Sequence, residues 1–312
     1  MAAGGEDPVS IGPVSPEAAD EVLRLAFSGL SARSAEEQMR LFLGDGPSET
    51  RSTARLWEAR RAGALVGAVA AQVQPGRTAT VWPPQAVPQE SPATARQLLA
   101  AACEGLALQG VCLAHAILEK VPRADNAILR DAGFQPLATL LYLVCPESEF
   151  PSDPPSGPLE LEPFAAAKWD RLARLVEATY EETLDCPFLN GLRSIEDILA
   201  GYRATGEFAP ERWLFVRHQE RDIGCLLLAD HPQEENFELV YMGLVPSARG
   251  NGWGREVIRH AQWLTRQAGR PRLVLAVDAA NHPAVAMYTC AGFRAWGRRR
   301  VYLKVLAEGS RQ

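Results

Sequence analysis

Apolar positions mark out two successive series of strands and helices along the chain. In the first, Ser15 can cap an amphipathic helix over 16–27, and β-type stretches follow at 56–59, 64–73 and 79–82. A helix is predicted over 93–108, then strands over 111–118 and 137–144. In the second series Trp169, Leu172, Leu175 and Val176 recur on one side of a predicted helix over 165–180. A loop over 183–194 leads to a helix over 195–204, and strands at 213–218 and 222–229 form a hairpin across Gln219-Glu220-Arg221. A central strand from Phe237 enters a glycine-rich turn, a helix opens at Arg255, a strand spans 273–277, and the last strand spans 299–306. This order predicts an α/β fold, of the α+β type with a mixed sheet.

The two series are separated and resemble each other. Residues 146–158 read Pro-Glu-Ser-Glu-Phe-Pro-Ser-Asp-Pro-Pro-Ser-Gly-Pro, which suits an exposed, semi-stiff connector and no helix. Val245-Pro246 precedes Gly292-Phe293 by 46 residues, counted Pro246 to Gly292, and Val87-Pro88 precedes Gly133-Phe134 by 45, counted Pro88 to Gly133. The expected segmentation is therefore a first repeat over 1–145, a linker over 146–158 and a second repeat over 159–312.

Composition narrows the classes of function. With 312 residues, 47% of them hydrophobic, the chain can build two ordinary cores. It has no run of about 18 apolar residues, and Met1 to Pro8 lacks the parts of a signal peptide, so the expectation is a cytoplasmic protein without a membrane partner. Six cysteines without C-x-x-C spacing suggest neither a metal site nor a disulfide framework. The net charge of −6 disfavours nucleic acid as a partner and mildly favours a cationic amine.

The chemistry concentrates in the second repeat. Arg249-Gly250-Asn251-Gly252-Trp253-Gly254 lies between a strand and a helix, where backbone N–H groups can approach an anion and a helix start adds about half a positive charge. The spacing fits neither the dinucleotide fingerprint nor the P-loop. It resembles the R/Q-x-x-G-x-G/A turn of the GNAT N-acetyltransferases, which holds the pyrophosphate of acetyl-coenzyme A. Further on, Asn281-His282-Pro283-Ala284-Val285-Ala286-Met287-Tyr288-Thr289-Cys290-Ala291-Gly292-Phe293 resembles that family's N-x-x-A-x-x-x-Y-x-x-x-G-F segment at every fixed position. Independently of the resemblance, Asn281 is a good N-cap and Gly292 a good helix C-terminal residue, while Ala284, Met287, Tyr288 and Ala291 recur on one helix face.

The resemblance implies two tandem GNAT domains, the first degenerate, and a fold of the acyl-coenzyme A N-acyltransferase type. Alignment on the Val-Pro pair puts Pro92-Ala93-Thr94 where the glycines stand, and alignment on Gly133 puts Leu129 in the place of Tyr288. It implies acetyl-coenzyme A as acyl donor, held by Arg249, Gly250, Asn251, Gly252, Trp253, Gly254 and Asn281. Backbone groups of Leu244 and Val245 would align the pantetheine arm. Tyr288 would be the general acid on the departing sulfur and Glu238, on the central strand, the general base; alternation puts Glu238 on one face with Val240 and Met242 unless a bulge intervenes. Asp185, Cys186, Asn190 and Arg193, on the loop over the acceptor site, are substrate candidates. The activity implied is an N-acetyltransferase acting on a small-molecule or peptide amine. The alternative is a non-catalytic acyl-coenzyme A sensor or scaffold, which would need neither Tyr288 nor Glu238.

Overall fold

A computed structural model of the protein describes residues 7–43, 54–119 and 122–306, which fall into two compact units, 1–137 with 300–312 and 138–299. The six residues at the N-terminal end of the stretch read for a leader lie outside the described residues.

The first unit carries β1 (Val9–Pro13), α1 (Ala19–Ala26), α2 (Ala32–Leu43), β2 (Ala54–Arg61), β3 (Ala64–Gln74), β4 (Thr78–Val81), β5 (Gln85–Ala86), α3 (Pro92–Leu108), β6 (Leu113–Leu118) and α4 (Arg123–Asp131). β1 through β4 pair antiparallel in chain order, and β4 then pairs parallel with β6. Leu98, Leu99, Ala102 and Leu106 of α3 are buried in a core with Trp57, Val69, Ala79 and Ala114 from the sheet.

The second unit carries most of β7 (Gln135–Pro146), then β8 (Leu159–Pro163), α5 (Trp169–Tyr180), α6 (Ile195–Arg203), β9 (Trp213–His218), β10 (Arg221–His231), β11 (Asn236–Leu244), α7 (Trp253–Gln267), β12 (Arg272–Asp278), α8 (His282–Cys290) and the first half of β13 (Arg294–Val305). β8 through β11 pair antiparallel in order, and β11 pairs parallel with β12. Two cores flank this sheet. Val257, Ile258 and Ala261 of α7 and Tyr288 of α8 pack with Phe237, Leu239 and Leu275, while Leu172, Val176 and Leu199 of α5 and α6 pack with Phe215, Cys225 and Leu227. Arg171 ties α5 to the sheet by bonds of 2.6 to 3.0 Å to Glu162 and Asp222, with its guanidinium 4.0 Å from the centre of the Phe215 ring.

The strands are shared out differently from the expected repeats. Residues 137–144 were expected to close the sheet of the first repeat, but Leu140–Pro146 pair antiparallel with Asp278–Arg272 of β12, within the second unit. Conversely, Arg300–Val305 of the last strand pair with Leu118–Leu113 of β6, within the first. Side-chain burial accounts for both pairings. Leu143 and Cys145 enter the core of Leu273 and Leu275, while Tyr302 enters that of Leu129 and Phe134 and donates to Asn126 Oδ1 at 3.0 Å. The sequence reading also left out β1, α2, α4 and β8, each short or adjoining irregular chain.

At the start of α3 the chain meets the helix N–H groups with its own side chains. The Ser91 hydroxyl accepts the Ala93 N–H at 3.2 Å, and the Glu90 carboxylate accepts the Ser91 N–H at 2.9 Å and the Thr94 hydroxyl at 3.0 Å. Arg61 donates to the same carboxylate at 2.8 Å. The helix start is thus occupied by the chain's own anion, a favourable place for it. The Arg61 guanidinium and then the Ser91 N–H hold the Glu90 carboxyl down at about 2. Because that folded value lies below the ordinary one, the stabilisation is present at neutral pH and is lost as pH falls from the usual carboxylate range toward 2. Glu90→Gln is therefore expected to lower the unfolding midpoint at pH 7, and the gap between variant and parent should narrow on acidification below pH 4.5. Thermal melts across that range measure it; a gap that stays constant with pH would contradict the assignment.

Candidate active site

The site begins at a break in the ladder. β11 and β12 pair only from Asn236↔Arg272 to Glu238↔Val274, although both strands continue. On the other side of β11 the pairing with β10 slips between Leu227 and Leu228, so that Val240 is an extra residue. Such a bulge bends its strand and re-aims side chains. Here Val240 and Tyr241 both join the core of α5 and α6, whereas Leu239 and Met242 join that of α7 and α8. The bend is fixed by aromatic contacts: Tyr241 bonds Thr179 Oγ1 at 2.7 Å and stacks on Tyr202, which bonds Tyr180 at 2.6 Å.

Where the two strands part, they enclose a cavity of about 500 Å³. One wall is β11 from Leu239 to Leu244, the other is Ala276 and Val277 with Asn281, Ala284, Met287 and Tyr288. The mouth is the glycine turn, contributing Arg249, Gly250, Gly252, Gly254 and Arg255. Gly252 is the N-cap of α7 with φ +81°, and no side chain caps the helix. A Cβ on Gly250 (φ +78°) or Gly252 would meet nothing within 4 Å, so both are held to glycine by backbone conformation and face open space. Gly254 is different: a Cβ there would lie 2.7 Å from Met287 Sδ, and its absence lets α7 and α8 approach. The result is a helix start that no side chain caps, with room in front of it, which suits an anion such as a diphosphate.

Around this cavity, Tyr288 is buried and packs edge-on against Phe293. Burial, and secondarily the Asp185 carboxylate, push the pKa of its hydroxyl well up, so it remains a proton donor at neutral pH. Asp185 is exposed as a residue, but its carboxyl reaches inward and accepts the Asp278 N–H at 2.9 Å, tying the loop to the end of β12. Burial of that carboxyl, together with nearby Asp278, raises its pKa.

A second, smaller recess of about 240 Å³ adjoins the cavity at Ala276. Glu238 lies in it, beside the last paired residues of the ladder, with His231, Asn236, Tyr142 and Trp296. His231 Nε2 stands 2.9 Å from Glu238 Oε2.

Residues 175–293 match the acetyltransferase (GNAT) family. The segment is a GNAT acetyltransferase domain. Over 115 residues the chain is 35% identical to the mycothiol acetyltransferase of Streptomyces bingchenggensis, covering 36% of this chain and 35% of that protein. The chain spans only about a quarter to a third of the length of the curated relatives it matches. Among solved structures, a GCN5-related N-acetyltransferase from Sphaerobacter thermophilus aligns over 97% of this chain and 98% of its own, at 15% identity and a TM-score of 0.59. A tandem GNAT protein from the clavulanic acid biosynthesis pathway aligns over 96% and 99%, at 14% identity and a TM-score of 0.51. The fold is that of tandem GNAT proteins.

Within the GNAT domain, the residues picked out from sequence fall into three groups. Gly250, Gly252, Gly254, Leu244, Asn281, Tyr288 and Asp185 line one cavity. Asn281 also caps α8, its Oδ1 accepting the Ala284 N–H at 3.3 Å. A second group serves the fold at this point. Arg249 lines the cavity and commits three of its five N–H groups to backbone carbonyls, Leu244 at 3.0 Å, Glu182 at 3.2 Å and Thr179 at 2.9 Å. The Val245 N–H donates to Ile223 O at 2.9 Å and is not free to polarise a carbonyl. Asn251 folds back onto the Ala248 and Arg249 carbonyls, and Trp253 packs against His218.

The third group lies outside the cavity lining. Asn190 Nδ2 donates to the Tyr180 carbonyl at 3.2 Å, Arg193 faces the Tyr180 and Tyr202 hydroxyls, and Cys186 is a left-handed residue whose thiol is pushed up to about 12, chiefly by burial. Glu238 also belongs here. The bulge follows it, so the face it was expected to share with Val240 and Met242 is broken before Met242. Three residues were missed: Arg255, which lines the mouth of the cavity, and His231 and Asn236 in the recess. Arg255 was visible as the first cation after the glycines; the other two depend on strand register, which no local pattern displays.

Arg249 yields a direct prediction. A charged donor bound to three carbonyls, two of them at the end of α5, cannot be removed without leaving those carbonyls unpaired. Arg249→Ala is expected to cost roughly 3 kcal/mol of stability, about what loss of two hydrogen bonds to a charged group implies. Denaturant melts measure this. A loss below about 0.5 kcal/mol would mean that water replaces the guanidinium freely.

Proposed function

We propose that the second unit transfers an acetyl group from acetyl-coenzyme A to a primary amine. The observation that carries this reading is the parting of β11 from β12 with a glycine-started helix at its mouth. It combines an open backbone edge, an apolar slot and an anion cradle in one cavity, matching a long thiol cofactor with a diphosphate. Gly250, Gly252 and the first N–H groups of α7 would hold the diphosphate, with Arg255 as the nearby cation, while Leu244, Ala284 and Met287 would flank the arm. Acetyl-coenzyme A supplies the acetyl group as an activated thioester.

The chain's own residues would do the rest. Glu238, in the recess that shares Ala276 with the cavity, would accept a proton from the incoming amine. Tyr288 keeps its hydroxyl proton at neutral pH and can give it to a departing sulfur. Asp185 walls the acceptor side and, with the loop it pins, limits water in the cavity. The first unit, whose corresponding helix start is filled by Glu90, would bind no coenzyme. The relatives named mycothiol acetyltransferase make an amino-thiol conjugate one acceptor to test, among amines in general.

Titration calorimetry should find one acetyl-coenzyme A per chain. Release of free coenzyme A, followed with a thiol reagent, should be seen with at least one amine of a panel made of benzylamine, glucosamine, cysteine methyl ester and a lysine-containing peptide. Tyr288→Phe is expected to lower kcat at least several-fold while the Kd for acetyl-coenzyme A changes less than twofold. Tight coenzyme binding without turnover on any amine would replace the enzyme by an acyl-coenzyme A sensor, and an unchanged kcat with chemistry rate-limiting would remove Tyr288 from the transfer.

A further inference from the structure

The recess beside the cavity is built unlike the cavity itself. Strand register sets it up: Ala229 stands opposite Glu238, and His231 follows two residues on, on the same face of the sheet. Diagonal neighbours of this kind lie about 7 Å apart at their backbones, a gap that an imidazole and a glutamate together close; the side chains meet at 2.9 Å. Tyr142 and Trp296 form an aromatic wall, their ring centres 5.6 Å apart. Asn236, on the same face as Glu238, is only 9% exposed. Its Nδ2 donates to the Glu234 carbonyl at 3.3 Å, and its Oδ1 has no partner among the described residues. A buried acceptor without a donor is costly to the fold. The recess therefore presents acceptors, the Glu238 carboxylate and the Asn236 oxygen, to a ligand that brings N–H groups.

Resting on the reading of the second unit as an amine acetyltransferase, we propose that His231 is a positioning residue that makes Glu238 a two-residue proton acceptor. The pair takes up, as a unit, the one proton an acceptor ammonium must lose before its nitrogen can attack. In that step the N–H bond of the ammonium breaks and its electron pair stays on nitrogen. The proton reaches Glu238 and is held between Oε2 and His231 Nε2, leaving an imidazolium beside a carboxylate. The pair then returns the proton to water before the next turnover.

This arrangement has a definite pH signature. The charged groups around His231 are Glu238 from β11, Glu234 from the turn between the strands, and Asp230 from β10, the last already held by Arg270 at 2.8 Å and Arg212 at 3.2 Å. From the α6–β9 loop Gly206 approaches with uncharged backbone. The hydrogen bond that the protonated ring donates to Glu238 outweighs burial and raises the pKa of His231 above its ordinary 6.5. Below that raised value the pair already holds its proton; above it, the pair has room for one. The rate should therefore climb as pH rises through a midpoint above 6.5.

The test measures kcat/KM against pH for the full chain with the fastest amine of the panel above, alongside ring-nitrogen NMR of His231. The parent should show a rising limb with its midpoint above 6.5, matched by the NMR titration, and Glu238→Gln should lower that NMR midpoint. His231→Gln keeps a hydrogen-bond donor but cannot titrate. It should lose the limb and about tenfold or more of kcat while retaining the parent's Kd for acetyl-coenzyme A. Full rescue of rate and limb by glutamine would reduce His231 to a structural prop and overturn the proposal, as would an NMR midpoint at or below 6.5. A parent inactive on every amine would instead overturn the acetyl-transfer reading on which the proposal rests.

Discussion

A parallel ladder that stops after three residue pairs governs the second unit. Parallel strands normally continue side by side because each carries a row of backbone donors and acceptors that must be satisfied. Here β11 receives one extra residue, Val240, and bends away from β12 while remaining paired to β10 as far as Leu244. The backbone edge that would have met β12 is left to whatever enters the cavity. The bend persists because it is over-determined: Val240 and Tyr241 are both drawn into the core beneath α5 and α6, and Tyr241 is fixed by Thr179 and by stacking on Tyr202. Tyr241 and Thr179 thus line the cavity and also fix the bend that opens it.

The two units handle the start of their equivalent helices in opposite ways. An uncapped helix start exposes several backbone N–H groups and a partial positive charge, and something must meet them. In the first unit Ser91 and Glu90 meet them from within the chain, and Glu90 is itself neutralised by Arg61. In the second, the N-cap is Gly252, which offers no side chain, and no side chain caps the helix.

Much of this was legible in the sequence because it is encoded locally. The left-handed conformations of Gly250 and Gly252, the cap at Asn281 and the helical face carrying Tyr288 all follow from residue type and spacing. What was not legible depends on partners distant in the chain. Arg249 matches a motif position, but its guanidinium is committed to carbonyls at Thr179 and Glu182, about 70 residues earlier. The exchange of β7 and β13 between units is decided by which core takes Leu143 or Tyr302, and an alternating apolar pattern fits either. The face on which Glu238 lies relative to Met242 turned on a one-residue bulge, which period-two reasoning cannot detect.

Strand alternation just before the bulge also keeps apart two sites with opposite needs. The cavity mouth must offer donors, since its ligand is read as a diphosphate, and it does so with backbone N–H groups and Arg255. The recess must offer acceptors, since its ligand is read as an ammonium, and it does so with Glu238 and Asn236. An unpaired carboxylate beside a diphosphate would repel it, and the Asp185 carboxylate that does line the cavity is already met by the Asp278 N–H at 2.9 Å. Adjacent residues of one strand separate the two sets: Leu239 lines the cavity and Glu238 the recess, and Ala276 on β12 borders both.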